Sequence, residues 1–120
     1  MANNKEISLP PIVAVDFDGT LVEDRFPEIG PIKWDAWKVV ESYRLLGYKI
    51  ILWTCRDGDR LKDAVKFCAD NGMVFDAVNR NIPEVIKLYN NDSRKVYADI
   101  YVDDKGVGLC LNTSTLGGVK

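Results

Sequence analysis

The chain contains no histidine. That absence excludes Ser-His-Asp and Cys-His nucleophile systems, phosphohistidine chemistry and zinc sites that depend on imidazole. Any catalysis has to use carboxylates, lysine, arginine, cysteine or a metal ion. Cysteine is scarce as well: Cys55, Cys68 and Cys110 form neither a pairing pattern nor a metal-ligand spacing. A reduced, cytoplasmic setting is the expectation that follows. No apolar run approaches the roughly 20 residues that span a bilayer, and Leu9-Pro10-Pro11 interrupts the apolar stretch an export signal needs. A strong charge of one sign is also missing. With a net charge of -2 and a pI of about 5.1, the chain lacks the basic footprint of a general nucleic-acid binder.

What is present is enough for one core. At 120 residues and 47% hydrophobic composition, without repeats, linkers or low-complexity tracts, the expectation is a single domain spanning residues 1–120. Ile12-Val13-Ala14-Val15, Ile50-Ile51-Leu52-Trp53 and Ile100-Tyr101-Val102 are near-continuous apolar runs, as strands covered on both faces require. Val74 to Val78 is a weaker fourth candidate. Between them, Ala36, Val39, Val40 and Tyr43, then Leu61, Ala64, Val65 and Cys68, fall on helical stripes. The punctuation predicts that Pro31 opens the first helix and Gly47 closes it. Asp57 or Asp59 caps the second helix, Asn71-Gly72 ends it, and a short third helix starts at Pro83. Alternating strands and helices predict an α/β fold with a mainly parallel sheet, whose ligands bind beyond the carboxyl ends of its strands. The tail from Gly106 is expected to be extended or loose.

Three of the apolar runs end in polar groups: Asp16-Phe17-Asp18-Gly19-Thr20, Thr54-Cys55-Arg56 and Asp103-Asp104. In a parallel sheet these ends converge. Four carboxylates crowded together repel one another unless a cation holds them, and hard oxygen donors suit Mg2+. A calcium loop is excluded, because its glycine and glutamate positions carry Leu21 and Pro27. A cysteine phosphatase is excluded too, since Leu61 stands where Cys55 needs an arginine.

Asp16-Phe17-Asp18-Gly19-Thr20-Leu21-Val22 resembles the first motif of the haloacid dehalogenase superfamily of aspartate-nucleophile phosphatases. Thr54, Lys95 and Asp103-Asp104 match the later motifs in family order, so the resemblance spans Ile12 to Asp104. It implies a Rossmann-like three-layer sandwich and phosphoryl transfer through an aspartyl-phosphate. On this resemblance Asp16 is the nucleophile, Asp18 the acid and base, Thr54 a donor to a phosphoryl oxygen, and Lys95 a positive charge beside the nucleophile. Gly19 allows a sharp turn beside the phosphate. Arg56 resembles a phosphate-binding arginine of the polynucleotide 3′-phosphatase branch. Asp16, Asp18, Asp103 and Asp104 are the expected metal ligands, with Asp104 favoured over Asp103 for direct contact.

The chain leaves no room for a cap domain. Only Val22 to Ile32 separates the first motif from the first helix, and Asp57 to Arg94 is taken up by helix, strand and helix. The charged insertion Glu23 to Gly30 reads as a small flap on which Arg25 meets an anion. The expected function is a Mg2+-dependent phosphomonoester hydrolase acting on a small molecule or on an exposed phosphate of a macromolecule, with no membrane partner and with homo-oligomers allowed. The alternatives are a polynucleotide 3′-phosphatase and a phosphate- or metal-binding module without turnover. A receiver-like switch is disfavoured because Asp16 and Asp18 are separated rather than consecutive.

Overall fold

A computed structural model of the chain describes residues 9–89, 96–104 and 106–109; for 106–109 the backbone alone is described. The central strand β1 (Ile12–Val15) is buried along its whole length, as its unbroken apolar sequence requires. It pairs in parallel with β4 (Lys49–Leu52) on one side and β6 (Ile100–Asp103) on the other. A short β5 (Ala77–Val78) extends the sheet beyond β4 in parallel, and β7 (Gly106–Leu109) closes the opposite edge antiparallel to β6. The sheet order is β5-β4-β1-β6-β7. Successive strands step outward from β1 on one side and then jump to the other. The crevice at the carboxyl end of β1 is therefore the switch point where such folds place ligands.

Three helices are described: α1 (Trp34–Leu45), α2 (Gly58–Asp70) and α3 (Pro83–Tyr89). Strand alternation sorts the side chains into two cores. Val13, Val15, Ile50 and Leu52 face Trp37 and Val40 of α1 and Ala64 and Cys68 of α2. Ile12, Ala14 and Ile51 face Ile82 and Val85 at α3. The chain is thus an α/β Rossmann-like sandwich of three layers without a cap domain; its strand and helix pattern predicts the mainly parallel α/β sheet, and the resemblance of its motifs implies the sandwich. Among the described residues no helix is long and apolar enough to cross a membrane.

The segment after the first motif folds as an antiparallel hairpin of β2 (Val22–Arg25) and β3 (Glu28–Ile32), turning through a cis Phe26–Pro27 bond. Pro31 therefore sits in a strand and does not open α1, whose N-cap is Lys33. A two-stranded hairpin has free edges, and an edge strand accommodates a residue without an N–H. Asp57 and Asn71 flank α2 as expected, and α3 starts at Pro83. The candidate strand from Val74 shrinks to Ala77–Val78 because Val74 is exposed, while the Asp76 carboxylate accepts a hydrogen bond from the Ile50 N–H at 2.8 Å. Part of the tail is ordered as β7.

Candidate active site

Asp16 lies one residue past β1, where its N–H still donates to the Val102 carbonyl of β6 at 3.0 Å. The motif then turns tightly. Phe17 is fully buried beneath it, Gly19 adopts φ 85°, and the Gly19 N–H donates to the Val22 carbonyl at 2.8 Å. A Cβ on Gly19 would lie 3.5 Å from Cβ of Asp104, so the first motif and the last acidic motif are neighbours across the β1–β6 crevice. Burial raises the pKa of the Asp16 carboxyl above its usual range. A hydrogen bond from the Phe17 N–H opposes this, and the charges of Asp18, Asp104 and Asp103 push it further up. Acids of two chain segments thus share one electrostatic neighbourhood.

Thr54 follows β4 on the other flank of Asp16. Its N–H donates to Oδ1 of Asn79 at 2.7 Å, and its hydroxyl oxygen accepts from the Arg56 N–H at 3.2 Å. Used as an acceptor in this way, the hydroxyl keeps its own hydrogen for another oxygen. Asn79 holds φ 52°, a left-handed conformation that asparagine tolerates better than most residues. It also donates to the Arg56 carbonyl at 3.4 Å. Sequence reasoning missed Asn79; its place directly after the short β5 is the signal that could have found it.

Arg56 departs from expectation. Its side chain is almost wholly buried, and its guanidinium lies 5.0 Å from each of the Phe17 and Phe26 ring centroids. Nε and Nη2 grip the two carboxylate oxygens of Asp18 at 2.7 and 2.8 Å. Nη2 also donates to the Glu28 carbonyl at 3.0 Å, and Nη1 to the carbonyls of Pro27 and Arg60, both at 3.4 Å. All five N–H groups of the fork are therefore committed inside the protein, leaving none to bind a substrate phosphate. Arg56 instead ties the motif loop, the hairpin and α2 together. The Asp18 carboxylate accepts both prongs from Arg56, one on each oxygen, and keeps further lone pairs on both.

Lys95 lies outside the described residues. Lys33, which the sequence did not single out, donates its ammonium to the Gly19 carbonyl at 2.9 Å at the rim near Asp104. On the hairpin, Arg25 pairs with Glu23 at 2.8 Å, both exposed. Cys55 is exposed at the site and not packed into the core.

A metal ion is tested by the donors present. Asp16, Asp103 and Asp104 offer the hard carboxylate oxygens Mg2+ prefers, and the repulsion that adds to the effect of burial on Asp16 is what a cation relieves. Among the described residues, no three carboxylate or cysteine side chains are already drawn onto one point. The chemistry of these donors fits the ion; their positions would have to tighten around it. A cavity of about 520 Å³ opens beside them, with Asp16, Thr54, Trp53, Tyr101 and Asp103 in its wall.

No family model matches the chain, and no curated protein matches it. A solved structure does: that of a conserved protein coded by a locus from Bacteroides thetaiotaomicron is 33% identical, with a TM-score of 0.69 over 91% of this chain and 91% of that one. The chain belongs to the same family as that conserved Bacteroides thetaiotaomicron protein.

Proposed function

We propose that this chain is a cytoplasmic, Mg2+-dependent phosphomonoester hydrolase of the haloacid dehalogenase type, with Asp16 as its nucleophile. The observation that carries this reading is the setting of Asp16: half buried at the end of the central strand, crowded by Asp18, Asp103 and Asp104, and sharing a cavity wall with Thr54.

In the proposed reaction a carboxylate oxygen of Asp16 attacks phosphorus while the bond from phosphorus to the leaving oxygen breaks. Asp18, protonated in the reacting state while still accepting from Arg56, gives that oxygen its proton. Asp18 then takes a proton from water as the water oxygen attacks phosphorus; the Asp16–phosphorus bond breaks and inorganic phosphate leaves. The grip of Arg56 uses one lone pair on each Asp18 oxygen and leaves others for this proton traffic. Thr54 donates its hydroxyl hydrogen to a phosphoryl oxygen, and Lys95 supplies positive charge in the role the resemblance implies. Bound Mg2+, held by Asp16 with Asp104 or Asp103, would offset the repulsion between a carboxylate and a phosphate.

The polynucleotide 3′-phosphatase alternative rests on Thr54-Cys55-Arg56 and on the absence of a cap; the buried fork weakens the first ground and leaves the second in place. The test is phosphate release from p-nitrophenyl phosphate with Mg2+. Turnover should vanish in Asp16→Asn and in excess chelator. Purified protein that releases no phosphate, or releases it equally well as Asp16→Asn, would rule the reading out.

A further inference from the structure

Strand alternation places three side chains in a row on the α3 side of the sheet. Ala14 of β1 stands in register with Ile51 of β4 and Tyr101 of β6, and Trp53 follows Ile51 by two residues on that same face. Trp53 and Tyr101 both pack against the core cluster at α3, and both line the cavity that Asp16 and Thr54 share. Ala14 lies beneath them, buried in the core, so the partly exposed Trp53 and Tyr101 supply the surface a ligand would meet. The Tyr101 hydroxyl donates to the Val96 carbonyl at 2.7 Å, which holds that ring in place.

The cavity, at about 520 Å³, falls in the range of sites that hold whole small molecules, whereas a phosphate group needs only a corner of it. Beyond Asp16, Thr54 and Asp103 its described walls are mainly apolar and aromatic, with nothing suited to a row of sugar hydroxyls. Stacking on aromatic side chains binds flat rings regardless of their edge chemistry.

We propose that the leaving group accepted here carries a flat aromatic ring, as in a nucleotide or an aryl phosphate, and that this ring is seated against Trp53 and Tyr101. This rests on the phosphatase reading of Asp16 and adds what the phosphate is attached to. Free nucleotides and the terminal nucleotides of a nucleic acid present the same ring.

Two measurements test it. The first compares kcat/KM for adenosine 3′- and 5′-monophosphate, a short 3′-phosphorylated oligonucleotide and glycerol 1-phosphate. The ring-bearing substrates should exceed glycerol phosphate by roughly tenfold to a hundredfold, the range that stacking on aromatics supplies. That ratio should fall about tenfold in Trp53→Leu and in Tyr101→Leu. Turnover of the oligonucleotide assigns the seat to nucleic-acid ends, and turnover of the mononucleotides alone assigns it to free nucleotides; either keeps the ring as the recognised group. The second measurement is quenching of tryptophan emission by adenosine, which carries no phosphate. It should saturate in the unaltered chain and largely disappear in Trp53→Phe, and it holds even if the leucine variants fail to fold. Equal turnover of ring-bearing and glycerol phosphates, or no adenosine quenching, overturns the proposal. Adenosine quenching without hydrolysis of any phosphate keeps the aromatic seat and sinks the phosphatase reading instead.

Discussion

Arg56 and Asp18, far apart in the chain, meet as a two-pronged ion pair with the guanidinium enclosed between Phe17 and Phe26. Desolvating a charge this completely is tolerable only because every donor finds an acceptor. The carbonyls of Pro27 and Glu28 are among those acceptors, so one side chain sets both the orientation of Asp18 and the height of the hairpin over the site.

Removing that side chain should be costly. Deleting one partner of a buried pair costs roughly 3–5 kcal/mol, and the partial exposure of Asp18 favours the lower end. Arg56→Ala should therefore lose about 3 kcal/mol of unfolding free energy in urea. Arg56→Lys should recover only a minor part, since an ammonium cannot reproduce a planar fork. In a double-mutant cycle with Asp18→Asn the two losses should be strongly non-additive. Additive losses would mean that the pair does not act as a unit.

The raised pKa of Asp16 fixes the sign of a pH effect. An acid whose folded-state pKa lies above its unfolded value holds its proton longer when folded, so stability falls as pH rises from the unfolded pKa through the folded one. In metal-free buffer Asp16→Asn should raise Tm at neutral pH, while at pH 3 the variant and the parent should melt alike. Thermal scans across that range, with chelator present, are the check. A variant less stable than the parent at pH 7 would show that Asp16 is held by favourable contacts that outweigh its burial.

The sheet was legible because Ile12–Val15, Ile50–Leu52 and Ile100–Val102 carry unbroken apolar runs, a local property of the chain. Asp16, Thr54 and Asp103 could be read for the same reason, as polar residues at the ends of such runs. Arg56 could not be read this way. Its burial depends on Phe26 and on the Pro27 and Glu28 carbonyls arriving from the hairpin, and nothing local to Thr54-Cys55-Arg56 announces that arrival. Pro31 misled for a related reason: proline suits both a first helical turn and an edge strand, and pairing with β2 decides between them.

The two described cysteines should separate chemically. Burial pushes the Cys68 thiol up to about 12, so almost none of it is thiolate at pH 8, whereas Cys55 is exposed beside the cavity. Iodoacetamide at pH 8, followed by peptide mapping, should modify the Cys55 peptide and leave the Cys68 peptide untouched until urea is added. Because the unfolded thiol ionises first, Cys68 also makes the fold less stable as pH climbs past about 9. Labelling of Cys68 in the folded protein at a rate near that of Cys55 would contradict its placement in the core.

Gly19 offers a test of backbone against side-chain crowding. At φ 85° a Cβ is disfavoured by its own backbone, yet the space around it is adequate: the nearest atom, Cβ of Asp104, would stand at an ordinary 3.5 Å. If conformation sets the cost, Gly19→Ala should lose roughly 1–2 kcal/mol. Gly19→Asn should lose less despite its greater bulk, because asparagine visits the left-handed region more readily. If crowding sets it, the order reverses. Urea unfolding of the two variants decides the point, and the ranking bears on the site directly. The same turn carries the Gly19 carbonyl that receives Lys33 and keeps Asp18 within reach of Arg56, so a relaxed turn should also lower turnover in the order of the stability losses.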